Sequence, residues 1–345
     1  MSSRKSLTMK AVNLFALALP MCALPTFAAV TVSTPLVGAN VASPFVLTAS
    51  ASPCLSQPIA SMGYSFDNST NTVAFSSASI NTPVTATPGA HTLHVKSWGN
   101  KGASCVTDVP LTVANGAAPS IPSNAIAVSG IHASPNWKAT FDSGSGSGSA
   151  TGTIGLVNQP SLSGTARQFV TTYTNYGGER YSVLFGTDTA ATNFLYDGWI
   201  YLASPTNGIA NIEMDLNQVM PNGQTVIFGF QCDGWSGTWD YTANTGTPQK
   251  PIDTWLHSNQ TCNARNWTAN AWHHVQISYS RDSAGNATYE SVWLDGTQQD
   301  LNVTVPSAFA LGWGPALLTN FQVDGSSSTS GAATIYMDNL TIYRW

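Results

Sequence analysis

Glutamate is scarce in this chain: only Glu179, Glu213 and Glu290 occur. One of them sits in NIEMDLNQVMPNGQTVIFGFQCD, residues 211–233, two positions before Asp215. Carboxyl groups at i and i+2 of an extended strand project from the same face. So placed, they suit three chemistries. They can act as acid and nucleophile in glycosidic cleavage, as oxygen ligands to a cation, or as acceptors for a ligand's hydroxyl groups.

The local sequence states how such a pair is held. In MPNGQ, residues 220–224, Pro221 suits the first central position of a type I turn and Asn222 the second. Gly223 suits the left-handed position that closes a three-residue hairpin loop. A loop of this kind pairs Met220 with Gln224. Ile212 then opposes Cys232, Met214 opposes Phe230 and Leu216 opposes Phe228. On the other face Glu213 opposes Gln231 and Asp215 opposes Gly229, with Asn217 alongside. A slip of one residue would mix the two faces. The expectation is a polar face of Glu213, Asp215, Asn217 and Gln231, with a gap over Gly229 that leaves room for a ligand. In CDGWSGTWDY, Trp235 and Trp239 follow the second strand and are expected to rim the cleft. Flat sugar faces stack on such rings while hydroxyls bond to carboxylates and amides. Of 11 tryptophans, only Trp98 precedes residue 125.

Composition narrows the partners. Charged residues make up 8% of the chain, against about 25% in an ordinary domain. There is no basic patch, so nucleic acid is an improbable partner class. Arg4, Lys5 and Lys10 precede the apolar run AVNLFALAL, and TFA offers small residues before a cut after Ala28; residues 1–28 read as a signal peptide. Without those three cations, 9 of the 12 basic residues face 17 acidic ones, a balance of −8. No later stretch is long and apolar enough to span a bilayer. The expected location is secreted, extracellular or periplasmic. Loss of Cys22 leaves Cys54, Cys105, Cys232 and Cys262. In an exported chain an even count favours disulfides, and pairing neighbours gives Cys54–Cys105 and Cys232–Cys262.

Short alternating strands punctuated by Asn, Pro and Gly fill residues 29–114. PGAHTLHVKSWGNKGASC there resembles the late strands of bacterial immunoglobulin-like domains, with His91, Leu93 and Val95 in matching places. Residues 115–124, poor in charge and rich in Pro and Ala, read as a linker. Longer strands follow over 125–345, with no amphipathic helix. SGSGSGSATG, residues 143–152, reads as a mobile loop within this second domain.

WHHVQISYSRDSAGNATYESVWLDG resembles a hairpin of laminin-G and lectin domains, and MDNLTIYRW resembles their closing strand. IEMDLN sits where concanavalin A-like lectins and laminarinase-like glucanases carry Glu-x-Asp. The second domain is also similar to a group of exported soil-bacterial proteins with this sandwich. The resemblance implies an all-β chain: an immunoglobulin-like β-sandwich followed by a concanavalin-like jelly-roll sandwich.

For activity the resemblance divides. The laminarinase-like pattern has a second glutamate two or three residues after the aspartate. Here those positions are Asn217 and Gln218, amides that cannot protonate a leaving oxygen. Glu179, Glu290, Asp233 and Asp240 are the other carboxyls from which an acid would have to come. Legume-type lectins hold calcium and a transition metal through Glu-x-Asp and a later histidine. None lies between Asp215 and His257, which leaves a single structural Ca²⁺ as the cation the pattern allows and no other cofactor. The leading expectation is non-catalytic binding of a neutral extracellular polysaccharide. The alternatives are a glycoside hydrolase with Glu213 as nucleophile and a structural or adhesive surface protein. Oligomeric state is not encoded in any motif.

Overall fold

The computed structural model describes residues 29–41, 43–87, 89–113, 119–142 and 148–345. The expected leader, residues 1–28, lies outside them, as do 115–118 of the expected linker and 143–147 of the expected loop. The chain is all-β, with two sandwiches in series; the helical elements among the described residues are two three-residue 3-10 turns. Among the described residues no helix is long and apolar enough to cross a membrane.

The first sandwich sets a three-stranded sheet against a five-stranded one. Phe45–Ala51 is the centre of the smaller sheet, flanked by Val30–Thr34 and Ser79–Val84. Gly89–Gly99 is the centre of the larger, between Ile59–Phe66 and Ser104–Val113. Strict alternation along Gly89–Gly99 turns Leu93, Val95 and Ser97 inward, where the two apolar side chains meet Phe45, Leu47 and Met62. Cys54 and Cys105 are bridged.

The second sandwich packs a nine-stranded sheet on an eight-stranded one. Its core is aromatic: Phe169, Phe230 and Phe321, with Tyr279 and Tyr289, are fully buried between the sheets. Such rings bring large apolar area and ordered edge and face contacts to the core. In the nine-stranded sheet, Ile209–Val219 lies at the middle. Leu317–Gly325 and Gly178–Gly186 extend it on one side, and Phe230–Asp233, Thr238–Asn244 and Asp253–Thr261 on the other. Cys232–Cys262 ties Phe230–Asp233 to the segment just beyond Asp253–Thr261. Both disulfides have the expected pairing.

The loop reading of residues 143–152 fails at its end. Ser149–Val157 is a strand and pairs along its length with Ala166–Thr174. Its glycines serve close packing: a side chain at Gly152 would collide with Glu179 and the Tyr181 ring. The two sandwiches touch where Val46 packs on Ala166, Trp199 and Trp272. Asn81 donates to the Ser161 carbonyl across the same boundary, at 3.2 Å.

Candidate functional site

The hairpin of residues 209–233 has the register that its turn chemistry dictates. Met220 and Gln224 close the loop, and Gly223 takes a φ of 82°. Leu216 opposes Phe228, Ile212 opposes Cys232 and Glu213 opposes Gln231. Ile212, Met214 and Leu216 point into the core. Glu213, Asp215 and Asn217 point the other way, into a cavity of about 600 Å³ on the outer face of the nine-stranded sheet. The second strand is broken at Gly229. There the Phe230 N–H turns to the Asp215 carboxylate, at 3.0 Å.

The expected gap over Gly229 is filled. A side chain at that position would strike Thr242 Oγ1 at 2.5 Å, and Thr242 accepts the Gly229 N–H. Gly229 therefore allows the next strand to approach, and both Gly229 and Thr242 line the cavity.

Neighbouring strands extend the polar face. Successive cross-strand partners are Arg180, Gln322, Glu213, Gln231, Asp240 and His257, one from each of six strands. At the usual strand spacing such a row is about 24 Å long measured along the sheet. A second set pairs Asp324 with Asn211 and Asn211 with Asp233. Gln322 is the hub: its amide nitrogen lies 2.7 Å from Glu213, 3.0 Å from Asp142 and 3.2 Å from Asp324. The Glu213 and Asp142 oxygens are thus no more than 5.7 Å apart, the sum of their distances to that nitrogen.

Electrostatically the cleft is one-sided. Seven of the chain's 17 acidic residues line it: Asp142, Glu213, Asp215, Asp233, Asp240, Asp253 and Asp324, against Arg180 and His257. Desolvation raises the Glu213 carboxyl well above the usual glutamate range, and Asp215 and then Asp324 add to the rise. Burial pushes Asp215 up to about 7, opposed by the Phe230 N–H and Asn320. It pushes Asp324 up to about 7 as well, with Asp142 adding repulsion. Asp253 is raised by desolvation and then by Asp142. Asp142, on the edge strand Lys138–Asp142 beside Gly178–Gly186, and Asp253, on the opposite edge strand Asp253–Thr261, both line the cavity, so the sheet curls around it and brings its acids together.

Several expected residues are brought together: Glu213, Asp215, Asn217, Gln231 and Trp235 all line the cavity. Trp235 is half-exposed at the rim, its ring 6.4 Å from Tyr176. Trp239 is not at the rim. It is fully buried, stacked at 5.2 Å on Phe230 in the core. It opposes Cys232, whose side chain is also buried, so alternation sends it inward and sends Asp240 into the cleft. Among the other acids considered, Asp233 and Asp240 line the cavity. Glu179 and Glu290 do not. Glu179 neighbours Arg180, so its side chain leaves by the opposite face. Glu290 belongs to the other sheet, hydrogen-bonded to Ser278.

Sequence reasoning missed Gln322, Asp324 and Asn320, the edge residues Asp142 and Asp253, and the rim residues Trp255 and Trp313. In FQVDG, residues 321–325, a signal was present: Gln322 and Asp324 alternate with buried Phe321 and Val323.

A cation would find one compact donor set among the described residues. Ligand atoms of Asp233, Asp240 and His257 lie within 4.8 Å of one another. An imidazole among the donors suits a transition metal better than Ca²⁺, which takes oxygen ligands. These donors already have partners. Asp233 accepts the Trp235 and Ser236 N–H groups, and Asp240 contacts His257 at 2.8 Å.

No protein-family model matches the chain, and no curated protein matches it. Among solved structures, one of carbohydrate-binding modules from the β-sandwich superfamily aligns over 90% of this chain and 95% of its own, at 13% identity and a TM-score of 0.31. A cellulose-induced protein aligns over 60% and 90%, at 15% identity and 0.36. An alginate lyase from a Chlorella virus aligns over 56% and 89%, at 11% identity and 0.35. Likenesses of this size assign neither ligand nor reaction.

Proposed function

We propose that the chain binds a polysaccharide in the cleft on the outer face of the nine-stranded sheet, without cleaving it. The observation that carries this reading is the cross-strand row from Arg180 to His257, flanked by the half-exposed rings of Trp235 and Trp313. Carboxylates and amides accept hydroxyl hydrogens in defined directions, and aromatic faces cover the apolar faces of sugar rings. The cavity volume is within the ordinary range for ligand sites. The two disulfides suit an oxidising, extracellular setting. The first sandwich then serves as a spacer, and the low overall charge favours an uncharged matrix as the surroundings.

A second reading rests on Glu213 and Asp142. Their oxygens lie no more than 5.7 Å apart, a bound that admits the roughly 5–5.5 Å of retaining glycosidases, and burial raises the Glu213 carboxyl, which suits the acid rather than the nucleophile expected from the sequence. One experiment separates the two. Purified protein is titrated against an array of soluble polysaccharides, and reducing ends are counted for each. Binding is expected without release of reducing ends, and Glu213→Gln is expected to weaken it about ten- to a hundredfold through loss of a charge-assisted hydrogen bond. Hydrolysis by wild type that Glu213→Gln abolishes, with binding retained, establishes the hydrolase instead. No binding to any polysaccharide removes both readings in favour of a structural or adhesive role.

A further inference from the structure

Three carboxyl groups at the floor of the cleft, Glu213, Asp215 and Asp324, stand outside the ion pairs of the structure. Six histidine–aspartate contacts and Arg344 with Asp188 form ion pairs. None includes Glu213, Asp215 or Asp324, all of which are more than nine-tenths buried. A buried carboxyl without a cation is held neutral by desolvation, as these three are, and ionises when a cation is brought to it. The donors present are spread thin, since the single Gln322 nitrogen faces three carboxylates.

A second observation is independent of charge. Asn211 and Asn217 are almost fully buried and line the cavity, and the side-chain oxygen of each has no hydrogen-bond partner. Buried acceptors without donors are uncommon in folded proteins. Both the charges and the orphan oxygens ask the same of an occupant: many donors, some of them cationic, and few acceptors. An acidic polysaccharide fails this test. A neutral one supplies hydroxyl donors and leaves the carboxylates unpaired.

Given a polysaccharide in this cleft, as proposed above, the geometry points to an amino sugar with free ammonium groups: a polymer or oligomer of glucosamine type. Its hydroxyls meet Asn211 and Asn217, its ammonium groups meet Glu213, Asp215 and Asp324, and its ring faces lie against Trp235 or Trp313. A uronic-acid polymer would meet seven acidic residues against Arg180 and His257, so the site selects by exclusion as well as attraction.

The test uses the full chain and calorimetric titration at pH 6, where glucosamine oligomers are cationic. The probes are a glucosamine hexamer, the N-acetylglucosamine hexamer of equal length, and spermidine. The glucosamine hexamer should bind at least tenfold more tightly than its acetylated counterpart. The preference should shrink severalfold in 1 M NaCl, where charge interactions are screened. Asp142→Asn and Asp253→Asn, both nearer the surface than Glu213, should each reduce the preference; circular dichroism checks that each variant folds. Equal or tighter binding of the acetylated hexamer overturns the amino-sugar assignment and leaves the polysaccharide reading standing. Spermidine binding as tightly as the glucosamine hexamer also overturns it, because the cleft then reads charge alone. If neither hexamer binds while another polysaccharide does, this inference fails by itself. If no polysaccharide binds, both fail.

Discussion

Replacing Asp215 with asparagine isolates the cost of charge in the cleft. Asp215 sits at 6% exposure, accepts the Phe230 N–H, and has its carboxyl pushed from 3.8 to about 7 by burial first of all. Because the folded state holds this proton more tightly than the unfolded chain, native stability falls as pH rises through the window from about 4 to 7. Below that window both states are protonated and the penalty is absent; above it the penalty is complete. A displacement of this size corresponds to about 4 kcal/mol. Asparagine keeps an acceptor oxygen for the Phe230 N–H and cannot ionise. At pH 4 the variant should match wild type to within about 1 kcal/mol, the size of a changed hydrogen bond. At pH 8.5 it should be the more stable by about 2–4 kcal/mol, the full charge penalty less what a neutral acceptor loses. Urea unfolding followed by tryptophan fluorescence at both pH values gives the comparison. Equal destabilisation of Asp215→Asn at pH 4 and 8.5 would mean that the ionised carboxylate is compensated in the native state and carries no such penalty.

Other outcomes are equally definite. Trp235→Ala should leave the urea midpoint unchanged and weaken polysaccharide binding about tenfold or more, in the range of aromatic anchors. Trp239→Ala should do the opposite in stability, costing about 3–5 kcal/mol through the cavity left beside Phe230. Replacing both Cys232 and Cys262 by alanine opens a loop of 30 residues and should cost about 4 kcal/mol on the chain-entropy model; a change below 1 kcal/mol would count against it. Residues 119–345 expressed alone should fold on their own core and bind a hydrophobic dye more strongly than the full chain, because the patch of Trp199 and Trp272 loses its cover from Val46.

What the sequence disclosed, it disclosed through local rules. Pro221, Asn222 and Gly223 fixed a turn, the turn fixed a register, and the register separated Glu213 and Asp215 from Met214 and Leu216 before any tertiary contact was known. The strand alternation around residues 272–296 and 331–344 likewise exposed the sandwich. Pairings between distant strands were not legible. Leu317–Gly325 lies beside Ile209–Val219 although about a hundred residues separate them, so nothing local could bring Gln322 against Glu213. Trp239 was misplaced for a related reason. Its face depends on which residue of Phe230–Asp233 it opposes across a short turn, and the WSGTW segment carries no turn signal as strong as PNG. Gly229 misled because the absence of a side chain was taken as space, whereas Thr242 of the neighbouring strand occupies it.

Whether a sugar chain lies on the acidic face around Glu213 is decided by a crystal structure with the tightest-binding oligosaccharide. Sugar rings should span the row from Gln322 through Glu213 and Gln231 to Asp240, with a ring face against Trp235 or Trp313 and hydroxyl or ammonium donors on Asn217 and Asp215. Sugar seated instead in the apolar groove between the two sandwiches, around Pro35, Phe45 and Trp272, with the acidic cleft free of it, would show that the acidic face is not the binding site.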